Sequence, residues 1–221
     1  MTLEQNYIYN SYIQKCDIIS SLSYIFLGVY GLNMYNKLKW YRKINYVSLI
    51  FIGIGGVIFH STLNMFCQIL DELSITSSIY VFWITINPIN IIPYILWILN
   101  VILYFYNFYN LFVLTVILST GFLIYYSYNI YTKYRYLHLK KIYNYLIYGP
   151  ILISLSFVFF WLPEHVFCAE DRCYYIHKTP LHALWHIFSS IGIFLCMIAS
   201  TEFNRIWNRN KLYNKFRVIP L

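Results

Sequence analysis

Residues 73–132 contain no Asp, Glu, Lys or Arg. A typical soluble domain carries about 25% charged residues, whereas this chain of 221 residues is 60% hydrophobic and 11% charged. A charge-free run of that length makes up most of three bilayer-crossing helices at roughly 20 residues each. The chain is therefore predicted to be all-α, a polytopic membrane protein whose solvent is lipid. The remaining apolar stretches divide at their charges into seven spans at about 18–36, 44–64, 71–89, 90–109, 111–131, 142–162 and 181–201. They form a seven-transmembrane-helix bundle, one membrane domain over 1–221. The turns inside the charge-free run are expected at the Asn- and Pro-containing residues 87–90 and at 106–110.

The charges outside the spans set the direction. Lys37, Lys39, Arg42 and Lys43 follow span one, Lys133, Arg135, Lys140 and Lys141 follow span five, and Arg205, Arg209, Lys211, Lys215 and Arg217 follow span seven. With seven spans all three groups share one side, and only Lys15, Arg172 and Lys178 fall opposite. Glu4, Asp17, Asp71, Glu72, Glu164, Glu170 and Asp171 lie on the far side, Glu202 alone on the basic side. Basic residues gather in the cytosol, so the N-terminus is predicted lumenal and the C-terminus cytosolic. The net charge of +8 is thus assigned to topology and contact with anionic lipid, not to nucleic acid. Residues 1–12 lack a basic region followed by an apolar core, so insertion is expected to rely on the first span.

Ionisable groups inside spans are costly and mark function. His60 lies near the end of span two, Asp71 and Glu72 open span three, and His182 and His186 open span seven. By the predicted direction, all sit at the lumenal ends of their helices. His182 and His186 are i, i+4 and share a helix face. With His60 they offer three imidazoles, leaving a tetrahedral zinc one position for water, whose pKa falls to about 7. The segment Leu181-His-Ala-Leu-Trp-His186 has no Glu beside its first His, so the base of an HExxH metalloprotease is lacking. Asp71 is the candidate base. Glu72 is expected to be an interfacial or helix-N-terminal charge, not a second base. His138 is expected to be solvated among cytosolic basic residues, and His165 and His177 to lie on the surface of a lumenal loop.

Gly55-Gly-Val-Ile-Phe-His60-Ser-Thr-Leu63, Gln68-Ile-Leu-Asp71-Glu-Leu73 and His182-Ala-Leu-Trp-His186 together resemble the alkaline ceramidases, seven-span members of a wider superfamily of membrane zinc hydrolases. The resemblance implies hydrolysis of ceramide to a sphingoid base and a free fatty acid. It implies zinc on His60, His182 and His186, water activation by Asp71, a lipid substrate, and an endoplasmic reticulum or Golgi membrane. A monomer is expected.

Three positions depart from the family pattern. The family has a Ser one helical turn before the span-two His; here Gly56 stands there, with a water expected in the space it leaves. The family's calcium site keeps matches at Glu4 and Asn6, but its Asp position falls at Met1 and its later Glu at Gln14 or Lys15. Calcium prefers several oxygen ligands, so Ca2+ binding is expected to be weak or absent. The family's N-terminal Cys position is Leu3, while Cys168 matches its partner; pairing of Cys168 with Cys173 is left open. Two further functions stay in view. One is a zinc-stabilised seven-helix receptor or scaffold without turnover, the other a related membrane zinc lipid hydrolase acting on a phospholipid or GPI-anchor ester.

Overall fold

The computed structural model describes residues 11–86, 91–106, 109–133, 140–163 and 179–217. Over these the protein is all-helical, with no strand. The helices are α1 (Ser11–Met34), α2 (Trp40–Thr62), α3 (Met65–Ile86), α4 (Ile92–Phe105), α5 (Tyr109–Lys133), α6 (Lys140–Ser156) and α7 (Leu181–Arg217), with a π-helical turn (Phe157–Trp161) continuing α6. Among the described residues, four stretches are long and apolar enough to cross a bilayer: Tyr12–Met34, Arg42–Thr62, Asn144–Trp161 and Leu181–Phe203. Ile92–Phe105 and Asn110–Phe122 are shorter apolar segments. The 14 residues of α4 reach only about 21 Å at 1.5 Å per residue, less than the ~30 Å hydrocarbon core.

α1 and α3 show the largest early starts against the charge pattern, and for the same reason: polar residues at the predicted span ends are absorbed into the bundle. α1 starts at Ser11. Its Gln14 side chain donates to the His60 carbonyl at 2.8 Å, and Asp17 is buried. α3 starts at Met65, because the Asn64 side-chain oxygen accepts the Phe66 N–H at 2.8 Å and so caps the helix. Asp71 and Glu72 therefore lie inside α3 instead of opening it.

Polarity runs inside out. Ile19, Phe26, Phe51 and Leu118 are 61–70% exposed, whereas Asn100, His60, Ser189 and Ser190 are 0% exposed. A water-soluble protein does the reverse; a lipid-facing bundle hides its polar groups and pairs them. α1 meets α7 through Ser23–Ser190 (2.9 Å) and Tyr24–Ser189 (2.6 Å) hydroxyl pairs. α3, α4 and α5 are joined by Tyr80, Asn100, Thr115 and Ser119: Asn100 donates to the Tyr80 hydroxyl and accepts from Thr115, and Tyr80 bonds Ser119.

Small residues let the helices close. A Cβ at Gly149 of α6 would lie 2.8 Å from the Gly192 carbonyl of α7, and one at Gly192 would lie 2.7 Å from the Gly149 carbonyl. Such backbone approach is how helices associate where no hydrophobic force separates them from lipid. The α2–α3 turn is tight. Leu63 takes the left-handed conformation (φ 51°) and its N–H bonds the Phe59 carbonyl at 2.7 Å, at a conformational cost of about 1–2 kcal/mol for a non-glycine residue. This reversal places the last turn of α2 beside the second turn of α3, and so His60 near Asp71.

Candidate metal centre and adjoining cavity

His60 comes from the last turn of α2, and His182 and His186 from the first two turns of α7. Their rings converge: centroids are 5.1 Å apart for His60–His182, 5.1 Å for His60–His186 and 4.6 Å for His182–His186. One ligand nitrogen from each lies within 4.8 Å of the other two. A tetrahedral zinc with Zn–N bonds of ~2.0–2.1 Å holds such nitrogens about 3.4 Å apart, so small ring rotations close the set. Three converging imidazoles, with His60 and His186 buried, fit a zinc site with one open position.

The orientation of His186 is legible from a count of hydrogens. Its Nδ1 lies 3.1 Å from the Ser20 hydroxyl and 3.0 Å from the Ser21 hydroxyl. Each serine already donates its single hydrogen to the Asp17 carbonyl, at 3.0 and 2.8 Å. With those hydrogens on the carbonyl, the hydroxyls accept from the imidazole, and the Asp17 carbonyl also bonds His186; this arrangement puts the proton on Nδ1 and leaves Nε2 a lone pair for a metal. The Tyr24 ring meets the His186 ring edge-on at 6.0 Å.

Asp71 is buried on α3 beside Gly55 and Gly56 of α2. A Cβ on Gly55 would lie 3.0 Å from the Leu70 carbonyl and 3.1 Å from the Asp71 backbone. A Cβ on Gly56 would lie 3.3 Å from Asp71 Oδ1 and 2.7 Å from the Ser21 hydroxyl. The water expected at Gly56 is thus a correction: the Ser21 side chain, entering from α1, takes that space. Glu72 also departs from expectation. It does not stand at a helix N-terminus: it sits within α3, accepts from the Gln68 amide at 3.0 Å, and bonds the Tyr104 hydroxyl.

The histidines and Asp71 close one end of a cavity of about 640 Å³, inside the range of pockets that enclose small ligands. Gln68 and Glu72 line the same polar end, while Ile79, Ile117, Ile124 and Ile153 form apolar walls. The π-helical turn, about two turns beyond Pro150 in α6, presents Phe157, Val158 and Trp161 to the cavity. A second space of about 60 Å³ adjoins it, sharing Thr120, Ile124, Ile153 and Ile193 and reaching Phe82 and Leu146. The whole is a polar head joined to a long apolar body.

Of the residues singled out in the sequence, the three histidines and Asp71 come to one place. Glu4, Asn6, His138, His165, His177, Cys168 and Cys173 lie outside the described residues. Among the described residues Cys16, Cys67 and Cys196 are free thiols. Ser20, Ser21 and Tyr104 were not singled out, and Gln68 entered only as the first residue of the Gln68–Leu73 motif; hydroxyls at such positions carry no spacing signal.

The family model described as Ceramidase matches residues 3–219. A putative alkaline ceramidase of Dictyostelium discoideum is 27% identical to the chain over 240 residues, covering 86% of this chain and 81% of that relative.

Proposed function

The chain belongs to the ceramidase family, and on that premise we propose that it is a zinc-dependent amidase that cleaves ceramide to a sphingoid base and a fatty acid. His60, His182 and His186 hold the metal and Asp71 is the catalytic base. The observation that carries this reading is the meeting of three histidine nitrogens within 4.8 Å at the polar end of an apolar cavity that also holds Asp71.

Bound zinc supplies Lewis acidity to the amide carbonyl and to an attacking water. The chain does the rest. The Asp71 carboxylate accepts one proton from the water as its oxygen joins the acyl carbon, and returns that proton to the amide nitrogen as the C–N bond breaks. The products are a carboxylic acid and a free amine, and no other reactant is consumed. Gln68 and Glu72 flank the polar end and offer a donor and an acceptor to the hydroxyls of the sphingoid head. The isoleucine-lined walls exclude water from the alkyl chains.

The same proposal places seven spans over 1–221, the N-terminus in the lumen and the C-terminus in the cytosol, in an endoplasmic reticulum or Golgi membrane. The four long apolar stretches, the two shorter ones and the basic residues of the α7 extension support that direction. A receptor or scaffold without turnover would have no need of a carboxylate at the metal. The test is zinc content and fatty-acid release from a ceramide panel, with His182→Ala and Asp71→Asn beside the wild type. The expected result is about one zinc per chain and turnover lost in both variants, with zinc lost only in His182→Ala. Zinc without turnover on any ceramide would instead support the scaffold.

A further inference from the structure

We propose that Ser20 and Ser21 of α1 are positioning residues for His186, and that residue 56 is glycine because the Ser21 hydroxyl occupies the space its side chain would need. This rests on the zinc reading of the three histidines.

A serine in a membrane helix commonly returns its hydrogen to a carbonyl one turn earlier, and both serines do so onto Asp17. That alone is local and unremarkable in chemistry. What is not local is that both oxygens then converge on one imidazole nitrogen of a helix far away in sequence, at 3.1 and 3.0 Å. Ser20, Ser21 and His186 are 5%, 1% and 2% exposed, so bulk solvent does not reach that nitrogen. Histidines that ligate metals gain affinity when their other nitrogen donates to a fixed acceptor, because tautomer and ring plane are set before the metal arrives. α1 contributes no ligand, yet it supplies this acceptor pair.

Gly56 shows the cost of keeping the pair in place. A Cβ there would stand 2.7 Å from the Ser21 hydroxyl and 3.2 Å from its Cβ. The serine could escape only by rotating its oxygen away, which breaks the contact with His186. Residues 21 and 56 thus share one volume, and only one of them can fill it.

The test is zinc affinity by chelator competition on detergent-purified protein, with the visible spectrum of the cobalt-substituted protein reporting ligand geometry. Gly56→Ser and the double variant Ser20→Ala/Ser21→Ala are expected to bind zinc about 10–100-fold more weakly and to shift the cobalt bands. The pair Ser21→Gly/Gly56→Ser exchanges the occupants and is expected to recover most of the affinity that Gly56→Ser loses. Ser20→Ala/Ser21→Ala adds no bulk, so its loss of affinity distinguishes positioning from a fold that Gly56→Ser simply breaks. If the wild type binds zinc and both disruptive variants bind it as tightly, or if the exchanged pair binds no better than Gly56→Ser, the inference is overturned alone. A wild type that binds no zinc would overturn the metal reading and this inference with it.

Discussion

Gly55→Ala should move the catalytic carboxylate without touching any ligand of the metal. The Cβ it adds points at backbone: the Leu70 carbonyl at 3.0 Å and the Asp71 nitrogen and Cα at 3.1 Å. Ordinary Cβ contacts begin at 3.4 Å, and backbone cannot rotate aside as a side-chain tip can. α3 must therefore retreat from α2 by a few tenths of an ångström at Asp71. Overpacking of this kind costs about 1–3 kcal/mol of stability. A misplacement near 1 Å costs on the order of 10²-fold in rate, so a shift of a few tenths should lower kcat/KM by about 3–10-fold. The control is Gly121→Ala: Gly121 also lines the cavity, but an added Cβ meets nothing within 4 Å. The assay is kcat/KM for ceramide at matched zinc content, with the thermal midpoint in the same detergent. Gly55→Ala indistinguishable from Gly121→Ala in both would refute the reasoning that α2–α3 contact sets the carboxylate.

Other consequences follow from the same geometry. Gly121 lines the cavity and has open space beside it, so Gly121→Phe should shift the preference on a ceramide panel towards shorter chains while leaving zinc content unchanged; an unaltered chain profile would count against that cavity as the alkyl site. Asn100→Leu removes the link between the Tyr80 and Thr115 hydroxyls and should lower stability by about 0.6 kcal/mol, at most ~1.7, with zinc binding intact, read by thermal unfolding. Turnover should be indifferent to micromolar calcium or its chelation, since Glu4 and Asn6 keep only part of a carboxylate-rich site; a clear calcium requirement would reverse this.

The candidate site was legible in the sequence wherever lipid made a residue expensive. His60, Asp71, His182 and His186 stand out because an ionisable side chain in an apolar run needs a reason, and the i, i+4 spacing of the last two fixes a common face. Ser20 and Ser21 did not stand out, because hydroxyls are cheap in membrane helices and satisfy themselves on the preceding turn. Gly56 was visible only as a missing side chain; which neighbour fills the gap is a property of how α1 packs on α2, and no one-dimensional pattern carries that. Helix ends misled for a related reason. Asp17 and Glu72 read as the wet ends of spans, yet Asp17 is buried within α1 and Glu72 lies inside α3, bonded to Gln68 one turn away. The all-helical fold was readable from apolar runs alone, and a helix between the turns expected at 87–90 and 106–110 was read too, but α4, Ile92–Phe105, is shorter than the span read at 90–109, since no charge marks its ends.

The central claim is that turnover depends on a metal held by His60, His182 and His186. The most direct measurement removes zinc from the purified wild type with a chelator, restores it in steps, and follows bound zinc and fatty-acid release together. The account predicts release that vanishes with the metal and returns in proportion to zinc bound, up to about one per chain. Ceramide hydrolysis that persists in zinc-free protein would contradict it.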